Sequence, residues 1–357
     1  MDGGGVERIR LILSNEFRRH DFEVEYALLN ANGKLLAEAS KKYKIYNLRV
    51  SKIRYLPFKL SKLLREIKPE AVLVSIWPVT VAAALGVFLS GITCRLILSE
   101  HNHLSTQYKN KGFLHNLLMR SSMFFCYRLS TSVVAVSQGV KSDLEKLSLV
   151  NKNKFEVIHN PIAPVNKVSK DKKIEIEKLW NSSDEKRLIT VGSLKKQKNH
   201  LLLINAFALV NNTIPSKLMI IGDGEEREQL EEEVRMLGLE NKVIFSGFQK
   251  ETNSFYQSAD LFVLSSNYEG FGNVLLEALI NGINVVSTDC NSGPAEILSN
   301  GRYGKLVPVK NVEALSSSII EVLKEPFANK DTLQNRAKDF SPEKIAMRYL
   351  DILFPKL

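Results

Sequence analysis

From Phe22 onward, short, mainly apolar runs alternate with longer amphipathic stretches. In the first half the runs are Phe22–Leu29, Ala71–Ile76, Arg95–Ser99, Ser132–Val136 and Phe155–Ile158. In the second half they are Arg187–Val191, Lys217–Ile221, Lys242–Phe245, Asp260–Leu264, Asn284–Ser287 and Lys305–Val307. Unbroken apolar runs suit strands covered on both faces. Helical stretches such as Asn199–Val210, Glu225–Leu237 and Val274–Asn281 lie between most of them. This alternation predicts an α/β protein with doubly wound parallel sheets. The pattern breaks after His159-Asn160-Pro161, and the lysine-rich, weakly patterned Ala163–Glu185 reads as a linker. The expected layout is a Rossmann-like domain over 1–163, a second over 164–340, and a capped helix in 341–357 that crosses back to the first. Two such domains would face each other across a cleft.

Two segments depart from the pattern. Ala71–Cys94 is uncharged and apolar, long enough to span a bilayer on length alone. It divides, however, into strand-like Ala71–Trp77, then Pro78, then helix-like Thr80–Ser90 closed by Gly91, the punctuation of a buried β–α unit. At the start, Met1-Asp2-Gly3-Gly4-Gly5 runs straight into helix-like Val6–Arg19. In a doubly wound domain a glycine turn follows a strand, and here no strand precedes it.

Composition narrows the class. A chain of 357 residues, 44% hydrophobic and 25% charged, can bury two ordinary cores. Three dispersed cysteines, Cys94, Cys126 and Cys290, argue against a disulfide framework or a zinc site and for a reducing, cytoplasmic setting. No secretory leader is recognisable. The net charge of +10 is uneven: 24 basic and 13 acidic residues lie in 1–165, against 25 and 26 thereafter. Such an excess can hold an anionic membrane face or a phosphorylated substrate, or simply be a solvated surface. No zinc finger, RNA-recognition signature or basic helix with heptads supports nucleic acid.

Ligands of open α/β sheets bind beyond the carboxyl ends of the strands, which directs attention to the loops there. After the Asp260–Leu264 run, Glu269-Gly270-Phe271-Gly272-Asn273-Val274 opens a helix carrying Glu277. The glycines allow close backbone approach, and the helix start can receive a diphosphate. One carboxylate can take both hydroxyls of a ribose and the other can take sugar hydroxyls. After Arg187–Val191, Gly192-Ser193-Leu194 leads to Lys198, a point charge suited to phosphate. Gly222-Asp223-Gly224 is explained by turn chemistry alone. Asn291-Ser292-Gly293-Pro294-Ala295-Glu296 looks like another strand-to-helix turn. In the first half, Ser99-Glu100-His101-Asn102-His103 follows a strand, and without further ligands it suggests one cleft histidine rather than a metal site.

Together these residues resemble glycosyltransferase family 4, retaining enzymes of the two-domain GT-B fold. The resemblance covers nearly the whole chain and is strongest from Arg187 to Val309. Its most specific part is Glu269-Gly270-Phe271-Gly272-Asn273-Val274-Leu275-Leu276-Glu277-Ala278, supported in order by Lys198, Gly222-Asp223-Gly224, Ser246-Gly247 and Ser287-Thr288-Asp289 with Pro294 and Glu296. The resemblance implies that Glu269 holds donor-sugar hydroxyls and that amides from Gly270 to Val274 receive diphosphate and sugar oxygens. It gives Glu277 the ribose, Lys198 the leaving diphosphate and His101 the donor sugar, with Gly192, Ser193 and Gly222 lining the donor site. Gly3 to Gly5 resemble the glycine loop near phosphate and acceptor. The implied chemistry is front-face retaining transfer from a nucleotide sugar, a UDP-sugar by expectation, without a metal or other cofactor. Two departures are Ser193, where the family has arginine, and the absent first strand.

The expected role is building a lipopolysaccharide-like or other cell-surface polysaccharide, with a glycan or polyprenyl-diphosphate-linked acceptor, at the inner face of the cell membrane. Gly112–Leu129, with Phe113, Leu117, Leu118, Phe124 and Phe125, would either lean on that membrane or form a core helix. The competing readings are a nucleotide-sugar epimerase of the same fold and a catalytically impaired nucleotide-sugar-binding protein.

Overall fold

A computed structural model describes residues 4–163, 165, 168–181 and 184–355. The chain divides into two compact units, Met1–Pro161 with Phe340–Leu357, and Ile162–Asp339.

The first unit begins with helix α1, Gly5–Arg19, followed by strands β1, Glu25–Leu28, and β2, Lys44–Asn47. Four further strands are β3, Ala71–Ser75, β4, Arg95–Glu100, β5, Ser132–Ala135, and β6, Phe155–Val157. All pairings are parallel, but β1 and β2 form one sheet and β3 to β6 another. Among the described residues no segment pairs with the second edge of β1 or of β3. The burial pattern agrees: β5 is buried at every position, whereas β3 is half-buried along its whole length despite its apolar sequence. Helix α1 packs on both sheets, with Ile9, Leu13 and Phe17 against β3 and β4 and Leu11 against β1 and β2. The C-terminal helix Pro342–Leu353 also belongs here: Arg95 donates to the Ile352 carbonyl (3.1 Å) and Arg348 to that of Val157 (2.7 Å). Strand β2 escaped the sequence reading because its Lys44-Ile45-Tyr46-Asn47 lies in a lysine-rich stretch with only one aliphatic residue.

Helices α2, Leu56–Ile67, α3, Val79–Ser90, and α4, Phe113–Cys126, are neighbours, α3 packing against both others. The core-helix expectation for Gly112–Leu129 needs correction. Only Met119, Met123 and Cys126 of α4 are buried, while Phe113, Leu114, Leu117, Leu118 and Phe125 are exposed.

The linker expectation also fails. Helix α5, Lys170–Trp180, occupies the middle of Ala163–Glu185; Ser169 caps it by accepting from the Lys172 amide at 3.3 Å. It is held by two side chains one turn apart, Ile176 and Trp180, both fully buried, and the Trp180 indole donates to Ser258 Oγ at 2.9 Å. Seven charged residues around two buried anchors, with Ile174 and Leu179 left exposed, disguise such a helix.

The second unit has one six-stranded parallel sheet: β7, Lys186–Val191; β8, Ser216–Ile221; β9, Val243–Gly247; β10, Leu261–Leu264; β11, Asn284–Thr288; and β12, Lys305–Val307. Their spatial order is β12-β11-β10-β7-β8-β9. This is the Rossmann order, and it reverses between β7 and β10, where such sheets bind ligands. Helices α6, His200–Asn211, and α7, Asn273–Asn281, follow β7 and β10.

Candidate active site

The two loops at the reversal are bound to each other. The Asn267 amide donates to the Gln197 carbonyl (2.8 Å), Gln197 Nε2 to the Tyr268 carbonyl (3.1 Å) and Ser265 Oγ to the Lys198 carbonyl (2.9 Å). Within this frame Lys198 Nζ donates to Glu269 Oε1 at 2.6 Å, and Ser266 Oγ donates to the same oxygen at 2.6 Å. The Glu269 side chain is 7% exposed and that of Lys198 15%. A carboxylate this buried needs charged or hydroxyl partners, and it has both. The pair sets an anion-binding cation beside a hydrogen-bonding carboxylate at the mouth of the sheet.

Glycines bring the backbones this close. A Cβ on Gly222 would lie 1.9 Å from the Gly192 carbonyl oxygen, and one on Gly224 2.4 Å from that of Leu194. Gly222-Asp223-Gly224 is therefore more than a tight turn, because it supports the Gly192–Leu194 loop from beneath. Gly192 itself lies against the Lys198 side chain, 3.3 Å from where its Cβ would be. Gly293 plays the same part for the other loop, its Cβ position 1.9 Å from the Phe271 carbonyl oxygen. Ser193 is exposed on the lip of the first loop.

Gly272 caps α7 at φ +94°, a conformation that favours glycine, so that the positive end of the helix begins at Asn273 and Val274. Glu277 lies one turn further. Its Oε2 accepts from Tyr256 Oη at 3.0 Å and from Thr252 Oγ1 at 3.4 Å. Burial, then the Glu277 charge, pushes the Tyr256 phenol well up, so it stays a donor. Cys290 is buried beside the pair; burial and then Glu269 raise its thiol to about 12, which leaves it protonated and inert. His200, the first residue of α6, is held down to about 4 by burial and then by the Lys198 charge.

In the first unit, Gly4 caps α1 and its amide donates to Glu7 Oε2 at 3.1 Å, while Gly5 is the first helical residue. Both are exposed; Gly3 lies outside the described residues. His101 follows β4 and is 6% exposed. Its Nε2 is 3.1 Å from Ser99 Oγ and 3.3 Å from Arg10 Nη2. Burial, then the Arg10 charge, holds its pKa well below the usual imidazole range. Next to it, Glu100 is pushed up by burial although Tyr127 Oη (2.6 Å), Thr80 Oγ1 (2.7 Å) and the Trp77 amide (2.9 Å) donate to it. His103 instead turns to Asp143, 3.5 Å away. Among the described residues no group of three His, Cys, Asp or Glu side chains could hold a metal ion.

The sequence reading missed the supporting residues. Tyr256, Thr252, Arg10 and Tyr349 come from segments that carry no motif, and only the fold delivers them; Ser266 lies three residues before Glu269 in the loop already singled out.

Two α/β units built on parallel sheets, the second in Rossmann order with a lysine–glutamate pair at its reversal, are the architecture of the GT-B fold. The family "Glycosyltransferase Family 4" matches residues 3–165 and "Glycosyl transferases group 1" matches 171–340. The chain belongs to these glycosyltransferases. It is 29% identical, over 99% of its own length and 97% of the relative's, to the Campylobacter jejuni N-acetylgalactosamine-N,N'-diacetylbacillosaminyl-diphospho-undecaprenol 4-alpha-N-acetylgalactosaminyltransferase. It is 26% identical to the Erwinia amylovora amylovoran biosynthesis glycosyltransferase AmsD, over 99% of this chain and 96% of that one. Anabaena HepE, solved with UDP and glucose, superposes with a TM-score of 0.83 at 20% identity, covering 99% of this chain and 97% of HepE.

Proposed function

We propose that this enzyme moves a sugar from a UDP-sugar to a polyprenyl-diphosphate-linked or other glycan acceptor, with retention of configuration, at an anionic membrane face. The observation that carries the reading is the buried Lys198–Glu269 pair at the point where the second sheet reverses. In that reading Lys198 and the start of α7 offset the diphosphate charge, Glu269 holds the sugar hydroxyls and Glu277 the ribose. The acceptor hydroxyl attacks the anomeric carbon as the bond to the diphosphate breaks, and the hydroxyl proton passes to a diphosphate oxygen. Fixed donors and charges lower the barrier without a metal. HepE, solved with UDP, and the undecaprenol-linked substrate in the name of the Campylobacter relative support the donor and acceptor classes. No relative quoted above is an epimerase.

Support for the membrane face comes from the first unit. Between Ala71 and Ser142 the only carboxylate is Glu100, which is buried, while Lys109, Lys111, Arg120 and Arg128 flank the exposed apolar side chains of α4. Phe88 on α3 and Phe58 on α2 are also exposed, each about two thirds. Patches of this kind mark interaction surfaces, and a basic rim favours anionic lipid. Among the described residues no helix is long and apolar enough to cross a membrane.

A thermal-shift panel of UDP-, GDP- and ADP-sugars tests the donor. The largest stabilisation should come from a UDP-sugar; equal responses, or none, would reject the assignment.

A further inference from the structure

His101 sits in a chain of side chains whose proton positions follow from donor chemistry. Arg10, from the second turn of α1, contacts three of them. Its Nε donates to Ser75 Oγ at 2.6 Å, its guanidinium lies 5.5 Å from the Tyr349 ring centroid, and its Nη2 is 3.3 Å from His101 Nε2. A guanidinium has no acceptor lone pair and keeps its charge. The ring nitrogen facing it must therefore carry a lone pair rather than a hydrogen. Ser99 Oγ lies 3.1 Å from the same nitrogen and 3.2 Å from Tyr349 Oη; towards a bare Nε2 it can act only as a donor, sharing the one lone pair with Arg10, and it then accepts from Tyr349. The remaining proton of a neutral imidazole sits on Nδ1. That atom is buried and has no partner among the described residues.

We propose that Arg10 is a positioning residue for His101: with Ser99 it holds the ring in the Nδ1–H tautomer, so that the remaining ring position of His101 is an N–H donor and not a base. This rests on the reading of His101 as a group that meets the sugar. The burial of the ring and the Arg10 charge both favour the neutral form. The charged and titratable groups around it are Arg10 from α1, Tyr349 from the C-terminal helix and Glu100 in β4, whose oxygens are engaged by Tyr127, Thr80 and Trp77. Among the described residues Arg10 Nη1 has no hydrogen-bond partner and no carboxylate offsets the guanidinium, so its charge bears directly on the ring beside it.

The test is read first without substrate. Two-bond proton–nitrogen NMR spectra of the full chain, labelled at histidine, should show His101 with Nδ1 protonated and Nε2 bare, with no titration from pH 8 to pH 5. A protonated Nε2 overturns the proposal, whatever the variants do. Arg10→Met should release the ring, giving mixed tautomers or titration inside that range, and should lower kcat/KM about tenfold, as expected for one misaligned charge-assisted contact. The loss should be confined to the neutral side of the pH profile and ease on acidification, because a protonated ring carries a hydrogen on Nδ1 again. Arg10→Lys, which keeps a cationic donor, should recover most of both. Unchanged spectra and an unchanged pH profile in a folded Arg10→Met protein would overturn the idea. If that variant does not fold, Ser99→Ala loosens the same nitrogen and must perturb the same signals. His101→Ala with full activity would instead defeat the underlying reading of the histidine, leaving the tautomer as measured.

Discussion

Lys198 and Glu269 are 71 residues apart in the chain and 2.6 Å apart in the structure, donor to acceptor. The contact exists because β7 and β10 are hydrogen-bonded neighbours, so the loops that follow them emerge side by side. Each charge lowers the cost of burying the other, and removal of one partner leaves the other exposed to a poorly polar setting. Lys198→Met should reduce UDP binding at least tenfold and transfer on the order of a hundredfold, since one lost donor in such a site typically costs that much. Glu269→Gln should keep most of the UDP affinity and lose transfer. Calorimetry with UDP and a transfer assay separate the two roles; equal loss of UDP binding in both variants would contradict them.

Glu277 is pinned by Tyr256 and Thr252 on one oxygen. Glu277→Ala should weaken UDP about tenfold, the worth of a charge-assisted hydrogen bond of roughly 1.5–3 kcal/mol. Tyr256→Phe keeps the carboxylate but frees its orientation, so a smaller loss of nucleotide affinity is expected. A Glu277→Ala protein with an unchanged UDP dissociation constant would remove the ribose from this residue.

Transfer activity should survive excess EDTA, because Lys198 and the start of α7 are assigned the diphosphate charge. Activity abolished by chelation and restored by a divalent metal alone would reject that assignment.

His200 makes the second unit sensitive to acid, with a definite sign. Its pKa is held near 4 in the fold, by burial first and then by Lys198, against 6.5 for an ordinary histidine. Below pH 6.5 the unfolded chain therefore binds a proton that the folded unit refuses until about pH 4. Stability must fall as pH drops through that window, by at most about 1.4 kcal/mol per pH unit and on the order of 3 kcal/mol in all. His101, whose pKa is also lowered, acts the same way in the first unit. Melting curves at pH 7 and pH 4.5 should show a smaller acid loss in His200→Gln than in the parent. Parallel losses would show that His200 does not carry the effect.

The strands of the second unit were legible in the sequence to within a residue or two at each end, because a parallel strand buried on both faces writes itself as an unbroken apolar run. Lys186–Val191 and Asn284–Thr288 are examples, and Lys305–Val307 matches at both ends. The start of α7 was legible for a related reason, since Gly270 and Gly272 mark a turn that opens a helix, and Gly272 caps it. What stayed hidden was written in tertiary contacts. Trp180 anchors a helix in an otherwise polar segment, Tyr256 reaches Glu277 from a short helix with no motif, and Arg10 looks like any surface cation until α1 lies across β3. The close approach that forces glycine at position 222 could not be told from ordinary turn chemistry without the neighbouring loop.

Helix α4 supplies the last expectation. Phe113 is 82% exposed and Phe125 67%, values unusual for phenylalanine in a helix whose other side is buried through Met119, Met123 and Cys126. Seating a phenylalanine in an acyl boundary is worth roughly 1.5–3 kcal/mol, and each nearby Lys or Arg adds about 1 kcal/mol at an anionic surface. The charge part is screened over about 8 Å at physiological salt, while the apolar part persists. Sedimentation with vesicles should therefore show binding to phosphatidylserine-containing membranes that weakens, without vanishing, as salt is raised. The combined variant Phe113→Ser, Leu118→Ser, Phe125→Ser should bind at least tenfold less at any salt and keep its UDP affinity, because the nucleotide is assigned to the other unit. Replacing Lys109, Lys111 and Arg120 with glutamine should weaken the salt dependence, since Arg128 remains, and leave the apolar term unchanged. Equal sedimentation with neutral and anionic vesicles at low salt would show that the basic rim serves something other than lipid.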